Sequence, residues 1–405
     1  MPREPVASSS LKGIPRGVWA LGFVSLFMDV SSEMIHALLP VYLVVGLGAS
    51  MVAVGFIEGI AEATAMIVRI FSGALSDWLG KRKLLAAIGY GMAAFAKPIF
   101  PLATGLGWIV AARFIDRIGK GVRGAPRDAL VADLTPPAIR GAAFGLRQSL
   151  DTVGAFVGPL LAIALMALTA SNFIAVFWIA VIPAFIAFFL IVFAVREPPR
   201  PETAGSERPT VSLATAKRLP AMFWVVVAIG SVLTLSRFSE AFLILRAQQL
   251  GLAIALVPVI LVVMNVVYAV TAYPAGVWSD RFGRRGMLLA GVAALLAADI
   301  VLALSTNVAA ALAGTALWGL HMGLTQGLLA ALIADATPAD LRGTAFGIFA
   351  FASGLTLLAA SVIAGALWDA FGPQATFVAG AGFTALAMIG IALVPMKAQT
   401  PDAAG

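Results

Sequence analysis

The length of its apolar segments constrains this chain more than any other feature. Hydrophobic residues make up 61% of the 405 residues and charged residues only 12%, which is far more apolar than an ordinary soluble domain. A helix that spans a membrane needs about 20 predominantly apolar residues. Twelve segments meet this requirement: 18–46, 51–75, 83–103, 106–133, 141–168, 172–195, 221–248, 253–277, 286–305, 308–334, 343–367 and 373–395. The sequence therefore predicts an all-α membrane protein with twelve transmembrane helices.

The positive charges predict how these helices cross the membrane. In a twelve-helix arrangement, the cations at helix ends and in loops lie on one side: Lys12, Arg16, Lys81, Arg82, Lys83, Arg140, Arg196, Arg200, Lys217, Arg218, Arg284, Arg285, Arg342 and Lys397. The short loops predicted on the other side carry no charge: 47–50, 104–105, 169–171, 249–252 and 306–307. Because Lys and Arg collect in cytoplasmic loops, we expect both termini to be cytoplasmic and the membrane to be the cytoplasmic (inner) one. This placement explains the net charge of +7 without a nucleic-acid partner.

The chain also contains an internal duplication. The segment Gly73-Ala-Leu-Ser-Asp77-Trp-Leu-Gly80-Lys81-Arg82 recurs 203 residues later as Gly276-Val-Trp-Ser-Asp280-Arg281-Phe-Gly283-Arg284-Arg285, and the segment that begins at Asp133 recurs at Asp335. A long polar segment, 196–220, is rich in proline and charge, which is typical of an extended linker. The predicted organisation is a cytoplasmic tail (1–17), a six-helix bundle (18–195), a cytoplasmic linker (196–220), a second six-helix bundle (221–396) and a C-terminal tail (397–405).

Several of these motifs resemble the major facilitator superfamily, and the resemblance covers almost the whole chain. The two Gly-x-x-x-Asp-x-x-Gly-basic-basic segments resemble the signature loop of that family, and Arg113 matches its helix-4 arginine. The segment Gly154-Ala-Phe-Val-Gly158-Pro159 resembles the Gly-x-x-x-Gly-Pro motif of its proton-driven drug and metabolite antiporters. The resemblance implies two bundles that rock about a site near the membrane midplane.

The same resemblance assigns roles to particular residues. It implies a hinge between the halves at Gly154, Gly158 and Pro159. It also implies a conformational latch formed by the duplicated loops: Gly73, Asp77, Gly80, Lys81, Arg82, Gly276, Asp280, Arg281, Gly283 and Arg284. A solvated loop that only sets the membrane orientation is the alternative for these loops.

Acidic residues inside the apolar segments are candidates for proton coupling. A charge at the bilayer centre costs about 2.5–3.5 kcal/mol, so such residues are expected to pair or to face water. Asp29 and Glu33 are one helical turn apart on one face, and neighbouring carboxylates hold a proton more tightly than isolated ones in water. We expect Asp29 or Glu33 to carry the coupling proton, with further candidates at Glu62, Asp151 and Glu240. A permanent bridge between a carboxylate and a guanidinium is the open alternative.

The fourth predicted helix carries a charged stripe. Six of its charged residues share one helical face: Arg113, Asp116, Arg117, Lys120, Arg123 and Arg127. The resemblance turns this face toward the transport path, and together with Arg147 and Arg237 the first four of these residues form the predicted substrate cavity. Arg123 and Arg127 are instead expected near the cytoplasmic headgroups. Lys97 is expected to snorkel to the outer interface, and His36 to pack or to make a hydrogen bond.

These features favour a secondary transporter that exports a small organic compound in exchange for protons. The cations of helix 4 favour a substrate with an anionic group. Uptake of an anionic metabolite together with protons is an alternative, and a non-transporting membrane sensor on the same scaffold is an alternative of another class. With no cysteine, no nucleotide-binding loop and no clustered metal ligands, neither an enzyme nor a cofactor is expected. The predicted partners are a small-molecule substrate, protons and the lipid bilayer, and we expect a monomer.

Overall fold

A computed structural model of the chain describes residues 13–197, 218–325, 328–338 and 341–393. Within these ranges the regular structure is helical. The α-helices are α1 (Arg16–His36), α2 (Leu39–Val41), α3 (Met51–Leu79), α4 (Arg82–Ala96), α5 (Ile99–Leu102), α6 (Leu106–Leu134), α7 (Arg140–Leu168), α8 (Phe173–Phe193), α9 (Ala221–Ser236), α10 (Ala241–Gln249), α11 (Val259–Leu304), α12 (Val308–Thr325), α13 (Leu328–Asp335), α14 (Arg342–Phe371) and α15 (Pro373–Leu393). Short 3₁₀ turns at Pro137–Ile139 and Ile254–Leu256 and a π-helix at Tyr42–Gly46 complete the set.

Among the described residues, eleven helical segments are long and apolar enough to cross a membrane. Each coincides with one of the predicted segments. The remaining predicted segment, 106–133, forms α6, which is long enough at 29 residues but carries more charge than the other spans. The charged stripe that is predicted to face the transport path is therefore also the feature that distinguishes α6 from the eleven apolar helices.

One helix, α11, covers a range in which the sequence predicts two helices and a loop. It is continuous over 46 residues, yet Met264 and Leu302 both pack against α12, beside Gly319 and Gly314 respectively. In a straight helix, Met264 and Leu302 would lie about 57 Å apart, whereas Gly314 and Gly319 are only about 7.5 Å apart. The chain therefore reverses direction within α11, as two consecutive spanning helices require.

The helices pack into two compact units. The first contains the described residues up to His36 and those from Thr64 to 197, and the second contains Ala37–Ala63 and the described residues from 218 onward. The two units match the two predicted bundles except for one segment. The sequence assigns residues 37–63 to the first bundle, whereas the structure groups them with the second unit. The reason is close packing between the start of α3 and α14.

The start of α3 lies against α14 because small residues line the contact. A Cβ atom at Gly59 would lie 2.9 Å from Leu358 Cα, so a larger residue would push the helices apart. The carboxylate of Asp369 accepts hydrogen bonds from the first backbone amides of α3, at 3.1 Å from Met51 N and 3.0 Å from Val52 N. A carboxylate at a helix N-terminus satisfies free amides and complements the helix dipole.

Each unit has its own apolar core. In the first unit, side chains from α1, α4, α6 and α8 meet in the interior, among them Leu21, Met28, Tyr90, Leu130 and Ile191. In the second unit, a core cluster joins α9, α13 and α14 and includes Phe223, Ile333, Leu341 and Ala345. These cores hold the helices in register, so the polar residues described below are positioned by rigid elements.

Candidate functional site

The charged residues of α6 lie mostly inside the first unit. Arg113 and Asp116 are each 2% exposed and Arg117 is 4% exposed, whereas Lys120 is exposed. Buried charges in a membrane protein require partners or water. The predicted cavity face therefore divides into a buried group, which consists of Arg113, Asp116 and Arg117, and an exposed cation at Lys120.

A buried ion pair connects α6 to the residue that follows α4. Lys97 Nζ lies 2.9 Å from Asp116 Oδ1 and donates a second hydrogen bond of 3.0 Å to Ser32 Oγ on α1. Arg117 Nε lies 3.4 Å from Asp116 Oδ2, so one carboxylate balances two cations. The prediction that Lys97 snorkels to the outer interface is wrong, because its side chain is only 2% exposed and is held by partners on two helices.

Arg113 extends this group to the end of α1. Its Nη2 atom lies 3.3 Å from His36 Nδ1. A guanidinium can only donate, so Nδ1 must accept, and the proton of the neutral imidazole is then on Nε2. The expectation of a hydrogen bond at His36 is thus confirmed. Lys97, Arg113, Asp116 and Arg117 therefore form one buried group of charged side chains.

Two further cations of α6 also turn into the protein. Arg123 is 5% exposed and lies over the ring of Tyr90, with its guanidinium carbon 4.8 Å from the ring centroid. Arg127 donates a 3.0 Å hydrogen bond to Ser25 Oγ and lies 3.6 Å from Asp151 Oδ1. Aromatic and polar partners on α1, α4 and α7 thus hold both side chains, and their position near the cytoplasmic headgroups stays a prediction.

Two of the proton-coupling candidates are neighbours across α1 and α7. The carboxyl groups of Asp29 and Asp151 lie side by side, within electrostatic range of Arg123 and Lys120. Arg147 Nη1 lies 3.5 Å from Asp151 Oδ2. Arg147 is predicted to be part of the substrate cavity. In the structure it pairs with Asp151 on its own helix, the carboxylate that also contacts Asp29.

The glycine motif of α7 packs directly on the two acidic residues of α1. A Cβ atom at Gly154 would lie 2.6 Å from Leu26 O and 3.1 Å from Asp29 Cβ. A Cβ atom at Gly158 would lie 2.7 Å from Glu33 Cβ and 2.9 Å from Val30 O. The absence of side chains at both positions lets α1 and α7 approach closely. The predicted proton carriers and the predicted hinge thus occupy one helix contact.

Pro159 follows Gly158 inside α7 and is buried. Its ring removes one backbone donor from the helix and can bend it. The predicted hinge residues therefore lie together, with Gly154 and Gly158 against α1 and Pro159 adjacent to them in the chain.

The remaining predicted site residues belong to the second unit. Glu62 is half-buried on the first part of α3. Arg237 and Glu240 flank the break between α9 and α10, are both half-buried and interact electrostatically. Interrupted spanning helices often line binding sites, and this break is the counterpart in the second half of the interruption that follows His36 in the first.

The first signature loop is ordered around its glycine and arginine. Gly80 ends α3 with φ = +64°, a conformation that favours glycine. Arg82 Nη1 lies 2.5 Å from Asp133 Oδ2 and 3.2 Å from Ala129 O on α6. Lys81 is exposed, and Gly73 packs against Ala125. In this structure the arginine of the loop pairs within the first unit.

The other predicted latch residues can be placed only by their backbone. Asp77 lies within α3, and the second loop lies within α11; its predicted latch residues are Gly276, Asp280, Arg281, Gly283 and Arg284. Their side chains lie outside the part of the chain that the structure describes, so their role in a latch remains a prediction.

Sequence reasoning missed two residues that organise the first unit. Lys97 forms the buried pair described above, and Asp128 contacts three guanidinium groups, at 3.1 Å from Arg127, 3.6 Å from Arg69 and 3.9 Å from Arg147. A signal existed for Lys97, because an ionisable residue occurs 202 residues later at Asp299. For Asp128 no spacing rule points to partners on other helices. Among the described residues, no group of three or more candidate ligands is placed to hold a metal ion.

The eleven apolar helices are those of a multi-span integral membrane protein. The model of the Major Facilitator Superfamily matches residues 21–264 and 241–404. An uncharacterized MFS-type transporter of Methanocaldococcus jannaschii is 32% identical over 377 residues, which cover 91% of this chain and 92% of that protein. The multidrug resistance protein MdtH of Photorhabdus laumondii is 29% identical over 151 residues, or 36% of each chain.

The fold has close counterparts among solved structures. A mutant of the nucleoside transporter NupG superposes with a TM-score of 0.79 over 93% of this chain and 98% of that one, at 11% identity. At this identity the likeness concerns the fold alone. The chain belongs to the Major Facilitator Superfamily, a family of transporters rather than enzymes. Its fold indicates secondary transport of a small molecule across a membrane.

Proposed function

We propose that this protein exports a small organic compound across the cytoplasmic membrane in exchange for protons, and that Asp29 or Glu33 carries the coupling proton. One observation supports this most: Gly154 packs against Asp29 and Gly158 against Glu33. A change in the charge of either carboxyl alters the contact between α1 and α7. Proton binding can therefore act directly on the helix pair that contains the predicted hinge.

The neighbouring charges support a reversible proton site. Asp29 lies beside Asp151, and two adjacent carboxyl groups repel each other when both are ionised. Arg147 and Arg127 contact Asp151 at 3.5 and 3.6 Å. These cations stabilise the ionised form of Asp151. Asp29 can therefore bind and release a proton while the negative charge of Asp151 stays balanced.

The membrane topology forms part of the same proposal. We take α6 as the twelfth spanning helix, since it is 29 residues long and its charged residues are largely buried by protein. The cation distribution supports a cytoplasmic position for both termini. The partial similarity to MdtH, a multidrug resistance protein of Photorhabdus laumondii, favours the export direction.

The buried cations of α6 favour a second candidate. Arg113 and Arg117 lie on α6 beside Asp116, which pairs with Lys97. Buried cations suit an anionic metabolite that enters together with protons. This uptake function predicts that ligand and protons move in the same direction, whereas export by exchange predicts opposite directions.

The test uses purified protein in liposomes that contain a pH-sensitive dye. A thermal-shift panel of anionic metabolites and cationic drugs first identifies a ligand, because a ligand that binds the folded state stabilises it. We expect that ligand to move protons through the wild-type protein, and the Asp29→Asn/Glu33→Gln variant to bind it without moving protons. Glu197→Gln is the control, since Glu197 is an exposed carboxylate after α8. Proton movement that persists in the double variant would contradict the assigned role.

A further inference from the structure

Asp299 is a fully buried carboxyl group in the second unit. It lies on α11 and is 0% exposed. Its Oδ2 atom lies 3.3 Å from Thr384 Oγ1 on α15. Its Oδ1 atom is buried and has no hydrogen-bond partner among the described residues. Asp299 is not among the residues that the sequence predicts to carry protons.

The geometry at Thr384 indicates which residue donates the hydrogen in the contact between Thr384 Oγ1 and Asp299 Oδ2. Thr384 Oγ1 lies 2.9 Å from Gly380 O and 3.3 Å from Asp299 Oδ2. A hydroxyl has one hydrogen and two lone pairs, and a backbone carbonyl oxygen can only accept. The shorter contact therefore takes the hydroxyl hydrogen, and the lone pairs of Thr384 Oγ1 face Asp299. A protonated Asp299 can donate to these lone pairs, whereas an ionised Asp299 would have to take the hydroxyl hydrogen away from Gly380 O.

The surroundings of Asp299 are aromatic. A Cβ atom at Gly380 would lie 3.1 Å both from Asp299 Oδ2 and from Phe238 Cε1. The Phe238 ring in turn packs on Trp318 and Phe377, with centroid distances of 5.5 and 5.6 Å. An ionised carboxylate is strongly disfavoured in such a site, and a buried acid without a cation becomes neutral instead.

The charged and titratable groups on the elements packed against Asp299 are engaged elsewhere. Arg246 on α10 donates to Leu302 O and to both oxygens of Ser305. His321 on α12 bonds to Gly291 O at 2.8 Å. Arg237 and Glu240, at the break before α10, interact with each other. The described part of α15 has no charged residue.

The duplication allows a comparison of Asp299 with the equivalent position in the first half. Asp299 follows Lys97 by 202 residues, and the same offset relates Trp318 to Asp116. The first half has a buried Lys–Asp pair at these two positions. The second half has an acid and a tryptophan at the equivalent positions, so it has a carboxyl group where the first half has the lysine of an ion pair.

We propose that Asp299 is a second proton-binding site, in which the Oδ2 hydrogen is donated to Thr384 Oγ1 and is released to water when this region opens. Protonation converts the carboxylate to a neutral acid, and release returns the proton to solvent, so the step requires no other reactant. The presence of the proton rests on the buried geometry alone, and only its use in transport rests on the proposed function.

Infrared difference spectroscopy of the purified wild-type protein tests the site without any substrate. At neutral pH we expect a C=O stretching band of a protonated carboxyl that is lost in Asp299→Asn and retained in Asp116→Asn, because Asp116 is ion-paired. Thr384→Val should shift the band to higher frequency, because it removes the acceptor. This variant also serves as the test if Asp299→Asn does not fold.

The outcomes are distinct from those of the transport assay. If the wild-type spectrum at neutral pH contains no band that depends on Asp299 or Thr384, Asp299 is ionised and the proposal is overturned. If the band is present and Asp29→Asn/Glu33→Gln still moves protons, the site at Asp299 stands and the assignment of the coupling proton to α1 fails.

Discussion

Removal of Asp116 should destabilise the protein more than removal of the lysine that pairs with it. The carboxylate of Asp116 lies 2.9 Å from Lys97 Nζ and 3.4 Å from Arg117 Nε. The Asp116→Asn substitution keeps the shape of the side chain and removes its charge. Two buried cations then face each other without their common anion.

The expected magnitudes follow from burial and from the partners that remain. Breaking a buried ion pair by removing one member costs about 3–5 kcal/mol, and Asp116→Asn belongs in that range. Lys97→Met leaves Asp116 beside Arg117, so it removes hydrogen bonds rather than the last counter-charge. Leaving buried polar groups without a partner costs about 1–3 kcal/mol. The Lys97→Met/Asp116→Asn double variant should be less destabilised than the sum of the two, with a coupling of about 0.5–3 kcal/mol.

The assay is denaturant-induced unfolding of the purified protein in detergent micelles, which gives the change in the free energy of unfolding for each variant. Asp369→Asn is the matched control, because this carboxylate is exposed and its hydrogen bonds go to backbone amides. We expect the control to cost about 1 kcal/mol or less. The reasoning is refuted if Asp116→Asn costs no more than the control, or if Lys97→Met is the more damaging substitution.

Three further predictions follow from single contacts. Gly158→Leu should abolish ligand-dependent proton movement while membrane insertion is retained, because the new Cβ would lie 2.7 Å from Glu33 Cβ. Gly145→Leu is the control, since a Cβ atom at that position would have no atom within 4 Å. Equal transport by both variants would contradict the role of Gly158 in a hinge. Asp369→Ala should lower the free energy of unfolding by about 0.5–2 kcal/mol, because it leaves the first backbone amides of α3 without a capping side chain. A cost no larger than that of Asp369→Asn would argue against this cap. Arg82→Gln should cost at most about 1 kcal/mol, because the partner Asp133 is exposed, and a cost above 3 kcal/mol in the same unfolding assay would show that the pair is structural.

The sequence predicts the fold well because its strongest signals are local. Apolar segments of about 20 residues specify spanning helices wherever they occur, and eleven of the twelve predicted segments are apolar helices in the structure. The exception, α6, is a helix whose charges are visible in the sequence. The reversal inside α11 and the attachment of residues 37–63 to the second unit depend on packing between distant helices, which no local pattern encodes.

The candidate site could be predicted in its residue types but not in its pairings. Asp29, Glu33, Gly154 and Gly158 were all identified from the sequence, yet their contact across α1 and α7 is a property of tertiary packing. The sequence predicts the wrong position for Lys97, because a lysine near the end of an apolar segment usually extends to the interface. Its burial depends on Asp116, 19 residues away on another helix.

The central claim is that downhill movement of a ligand drives protons in the opposite direction. The most direct measurement imposes an outward gradient of the identified ligand across liposomes that contain the wild-type protein, with equal pH on both sides, and follows the internal pH. The account predicts that ligand efflux acidifies the lumen and that protein-free liposomes show no such change. Ligand efflux without a pH change, or with alkalinisation of the lumen, would contradict proton-coupled exchange.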